Sequence, residues 1–192
     1  MPRVIIGAIV AAIAMFFIGF IFFGTPLARL GTASLDNNQA AAVQQAMAAN
    51  LPRTGTYNVP GVDTPEQTNM YSRGPIATVH YNTDGFAAFD APGLVKGLVL
   101  NLLVALLIGA ALIGIDRRVP DLGSRARVAV IIAVAAAGFA HLGEPIYWHH
   151  DWGHFIYLFV ADAAALSAAG LIIAWFLPKS GAAAPADAPR DV

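Results

Sequence analysis

The sequence predicts an all-α membrane fold: a four-transmembrane-helix bundle with a small external α+β loop domain. Three observations predict it. Charged residues make up 12% of the 192, where a soluble domain carries about 25%. Apolar residues gather in four runs of about 20, the length that crosses the bilayer's hydrocarbon core. A polar stretch rich in turn residues separates the first run from the second. The net charge of −1 gives nucleic acid nothing to bind. The chain has no cysteine, which excludes disulfides, thiolate metal sites, c-type haem and cysteine nucleophiles. No internal repeat of 20–50 residues is visible.

Residues 4–23 form the first span. Arg3 precedes an apolar run too long for a signal-peptide core, and no clear A-x-A site follows. Gly24-Thr25-Pro26 ends it, because proline has no N–H to continue the helix.

Residues 24–92 are the external, periplasmic loop domain. A short amphipathic helix is expected from Leu35 to Leu51, with Asp36 as N-cap and Val43, Met47 and Leu51 on one face. Gly55 to Gly61 reads as an extended piece ending in a Pro-Gly turn. Residues 62–74 read as irregular. Ile76, Thr78, Val79 and Tyr81 suggest a strand over 75–81, and Asn82-Thr83-Asp84-Gly85 a turn that returns 86–89 as its hairpin partner. His80 stands alone there, so packing or surface exposure fits it better than metal ligation.

Residues 93–115 are the second span, 116–127 a loop with four arginines, 128–146 the third span, 147–153 an external turn and 154–177 the fourth span. Residues 178–192, mostly alanine and proline, read as a disordered cytoplasmic tail. The arginine-rich loop belongs on the cytoplasmic side. Both termini then lie on the cytoplasmic side of a bacterial inner membrane, with the 24–92 domain and the 147–153 turn outside. Small residues suit close helix contacts in lipid. Gly7/Ala11, Ala105/Gly109, Ala133/Ala137/Ala140 with Gly138, and Ala161/Ala165/Ala169 supply them.

The residues with chemistry gather near the outer turn, which holds His149, His150 and Asp151 between His141 and His154. Asn101 lies eight residues past Gly93, and Asp162 eight past His154. Both therefore sit about 12 Å along helices that run the same way. Asn101 and Asp162 are the intramembrane polar pair; ionisable residues within spans usually face the bundle and are paired. Several readings stay open. Asp162 is held structurally while Tyr147, Trp148, Trp152 and Tyr157 form an interfacial aromatic belt. Alternatively His141, Glu144, His149, His150 and His154 bind a divalent metal, a chemically adequate donor set without the H-E-x-x-H spacing. Or His141 and His154 hold haem b between adjacent helices. Transport through one buried acid is a further reading, without inverted repeats or broken helices to support it. No G-x-S-x-G, P-loop or dinucleotide motif points to an enzyme.

The layout is similar to small bacterial inner-membrane proteins of unknown function. Phe20 to Leu27, Gly55 to Gly61, Gly74-Pro75 and Asp162 in the last span carry the resemblance. It implies four spans with an outer loop and brings no activity. The expectation is a non-enzymatic structural or accessory component, with the lipid bilayer and other membrane-complex subunits as partners.

Overall fold

The structure, a computed structural model, describes residues 2–178. The expected tail lies outside the described residues except for Pro178. The chain divides into two compact units, one from residues up to 32 and from 91 onward, the other from 33–90.

The first unit holds four helices long and apolar enough to cross a membrane. They are α1 (Pro2–Phe23), α4 (Ala91–Ile115), α5 (Leu122–His141) and α7 (Trp152–Phe176), with a short α6 (Gly143–Tyr147) continuing the third span. This is the architecture of a multi-pass membrane protein. Its surface agrees: Leu107 is 71% exposed, Phe139 92% and Trp175 69%. In water such a belt invites aggregation; in lipid it costs nothing.

The core is made of small residues, because lipid-embedded helices gain from contact rather than from leaving water. Ala8, Ala11, Ala105 and Ala169 are completely buried. α7 packs on α5 and on α1, and α1 packs on α4. The close approaches are built on glycine. A Cβ at Gly170 would stand 2.6 Å from the Cβ of Ala129, and one at Gly7 would stand 2.8 Å from the Cβ of Phe176. Most of the expected small-residue faces are therefore buried, although Ala165 and Gly138 are half-buried. Ala140 is exposed, one turn on from the buried Ala137 of the same set.

The helix ends follow local chemistry. Asp121 caps α5 by accepting from the Ser124 N–H at 2.8 Å. This places Arg125 and Arg127 within the helix, where the sequence reading had them in the loop. Asp151 caps α7, accepting from the N–H groups of Gly153 at 3.1 Å and His154 at 2.9 Å. α5 stops at His141 because Pro145, four residues on, has no N–H for the His141 carbonyl. At the other end of α1, Thr25 donates to the Ile21 carbonyl at 2.6 Å and starts a 3-10 turn over Pro26–Leu30.

The second unit contains α2 (Asn37–Asn50), β1 (Gly55–Val59), α3 (Pro65–Arg73) and β2 (Ala77–Tyr81). Asp36 caps α2 in a full capping box with Gln39. The face of Val43 and Met47 is not buried. Two expectations are corrected here. Residues 62–74 are not irregular, since α3 occupies most of them. Its signal was present in Thr64-Pro65-Glu66-Gln67: a capping threonine, proline in the first turn and an early acid. Residues 86–89 are not a strand. β2 pairs antiparallel with β1, in the register Gly55↔Tyr81 to Val59↔Ala77. Thr54 and Thr83 close the ladder with a 3.0 Å hydrogen bond. Side-chain pairs support that register, Thr56 with His80 at 3.1 Å and Thr78 with Asn58 at 3.2 Å. Phe86 and Phe89 stay 72% and 74% exposed.

Candidate functional site

One face of α5 organises the polar groups of the bundle. Arg125, Ala129, Ala133, Ala137 and His141 follow at intervals of four and so share a stripe. The three alanines of that stripe are buried against the rest of the bundle. The stripe therefore carries one cationic side chain and one imidazole into the packed region, at opposite ends.

At the start of α5, Arg125 is 1% exposed. Its Nε donates to the Val119 carbonyl at 2.9 Å, and a terminal nitrogen donates to the Pro178 carbonyl at 2.9 Å. Another donates to the Asp116 carboxylate. The planar guanidinium thus ties the α4–α5 loop to the end of α7, where the last helical carbonyls lack partners. Sequence reasoning had counted Arg125 only as one of four loop arginines. The four-residue spacing to the alanines was the signal that it points inward.

At the far end, His141 reaches across to α7. Its Nε2 donates to the Asp162 carboxylate over 2.6 Å, with side-chain exposures of 17% for the histidine and 49% for the acid. Asp162 and Asn101 also line one cleft between α1, α4 and α7, about 600 Å³ in volume, and His141 is not on its wall. Asp162 is thus shared between its bond to His141 and the wall of the cleft. Asn101 and Asp162 therefore line the same space.

The other members of the expected cluster go elsewhere. Glu144, on α6, lies 3.1 Å from the Nδ1 of His150, whose ring stacks on Phe155 with an interplanar angle of 15°. The Nδ1 of His154 donates to the Gly31 carbonyl at 2.6 Å and so ties the start of α7 to the segment after α1. Tyr157 adds a second tie, from its hydroxyl to the Phe22 carbonyl at 2.6 Å. His149 is exposed and holds a left-handed backbone, φ 56°, in the turn before α7. Among the described residues, no three histidine or acidic side chains are grouped to hold a metal ion. The donor set His141, Glu144, His149, His150 and His154 is divided among separate partners. His141 and His154, the expected haem ligands, are each held by a different group. No family model, curated protein or solved structure matches this chain.

Proposed function

We propose that this chain is a non-enzymatic structural or accessory component of a membrane complex, set in a bacterial inner membrane. In this reading both termini and the 116–121 loop are cytoplasmic, and the 33–90 unit and the 148–151 turn lie outside. One observation supports it most directly. Most of the ionisable side chains near the outer turn, His149 apart, engage other segments of the chain. His141 meets Asp162, His150 meets Glu144, His154 meets Gly31, and Asp151 caps α7. The polar groups act on the scaffold itself. The exposed arginines Arg117, Arg118 and Arg127 favour the cytoplasmic side for the α4–α5 end.

The experiment is affinity purification of the full chain in mild detergent. A reproducible stoichiometric partner is the expected result; a lone monomer in repeated preparations would overturn the accessory role. Elemental analysis and a Soret scan of the same sample are expected to show neither stoichiometric metal nor haem. Topology is read separately by labelling Leu122→Cys and His150→Cys, which the absence of native cysteine makes clean. The two are expected to react from opposite sides.

A further inference from the structure

We propose that the cleft between α1, α4 and α7 is a binding site for an amphiphilic organic cation, with Asp162 as its counter-ion. The cleft holds about 600 Å³, within the range of small-molecule sites. Its walls are apolar except at Asn101 and Asp162, and Phe16, Phe20 and Phe23 stand along one side on α1.

The chemistry selects the ligand class. Asp162 lies ten residues into α7, about 15 Å from its first turn. A carboxylate at that depth is expensive unless paired. His141 satisfies one oxygen from the α5 side, yet Asp162 keeps 49% of its side chain exposed while the histidine keeps 17%. The field a ligand meets in the cleft is therefore the carboxylate's rather than the imidazole's. An anion is repelled there. A neutral hydrocarbon leaves the acid without a new partner. A cation with apolar substituents pairs with Asp162, meets aromatic faces that attract positive charge, and buries its substituents against Leu94, Leu100 and Leu166. Asn101 offers both a donor and an acceptor for any polar group beside the charge.

The test uses the purified full-length chain in nanodiscs and equilibrium dialysis with labelled tetraphenylphosphonium. Tetraphenylborate, of the same shape and opposite charge, is the control. Saturable binding of the cation is expected, with little of the anion. Asp162→Asn is expected to weaken the cation at least tenfold. Gly97→Phe provides an independent variant. A Cβ at Gly97 meets nothing within 4 Å, and the residue lines the cleft. The bulky ring fills the space, leaves Asp162 in place and is expected to abolish binding. Non-saturable uptake, equal binding of the anion, or full affinity in either folded variant would overturn the proposal. If Asp162→Asn does not fold, Gly97→Phe decides alone.

Discussion

The two ends of the α5–α7 seam use one device with opposite results. At each end a nitrogen-rich side chain on the α5 stripe meets a carboxylate. Arg125 is 1% exposed and is held by backbone carbonyls as well as by Asp116. His141 is held on Asp162, an acid that is half-exposed and stands on the wall of a cleft. The surroundings account for the difference: Arg125 is enclosed by carbonyls of the α4–α5 loop and the end of α7, whereas Asp162 stands on the wall of a cleft. Glycines draw the helices together toward the Arg125 end, at Gly170 against Ala129 and at Gly109 against Val4. Near the other end, Gly19 and Gly97 meet nothing within 4 Å.

The comparison breaks most sharply at Arg125. Arg125→Ala leaves Asp116 and several carbonyls without their donor. It is expected to cost about 3–5 kcal/mol, as for other buried pairs that lose one partner. Thermal unfolding in detergent reads this as a large fall in Tm. His141→Ala is expected to cost less, since its partner is half open.

Glycine substitutions sharpen the same contrast. Gly170→Ala puts a methyl 2.6 Å from the Ala129 Cβ. Overpacking of that kind costs about 1–3 kcal/mol. Gly97→Ala meets open space and adds helix propensity, so its Tm is expected to hold or rise. Equal losses at both positions would refute the closed-end and open-end description.

The His141–Asp162 bond is next in size. A double-mutant cycle with His141→Ala and Asp162→Asn is expected to give a coupling of about 1 kcal/mol, the scale of polar contacts between membrane helices. The smallest effect is at the α5 cap. The hydrogen bonds from Ser124, side chain first and then backbone, hold the Asp121 carboxyl below its ordinary 3.8. A lowered carboxylate stabilises the fold fully above its unfolded value and loses that contribution as pH falls through the folded one. The advantage of wild type over Asp121→Ala should therefore stay level from neutral pH down to about 3.8 and shrink below it, as measured by Tm against pH.

The number of long apolar helices, most of their bounds to within a few residues, and the cap at Asp36 follow from the sequence alone. They depend on run length, on proline and glycine, and on side chains that hydrogen-bond to their own backbone a few positions on. That Asn101 and Asp162 could come to one level was legible too, because rise per residue is constant along a helix, and both line one cleft. The cap at Asp121, which starts α5 six residues earlier than expected, was not read from the sequence. Only tertiary structure decided who meets whom. Five residues near the outer turn shared a neighbourhood in the chain, yet His141 went to Asp162, His154 to Gly31, Glu144 and His150 to each other, and His149 stayed exposed. That outcome depends on which helices are adjacent and how each is rotated. The same applies to β1 and β2, whose pairing skips the nearest candidate strand for one about twenty residues upstream. It also applies to Arg125, which reads as a loop charge until α7 is laid against its stripe. Helix periodicity names a face, and neighbours settle what that face touches.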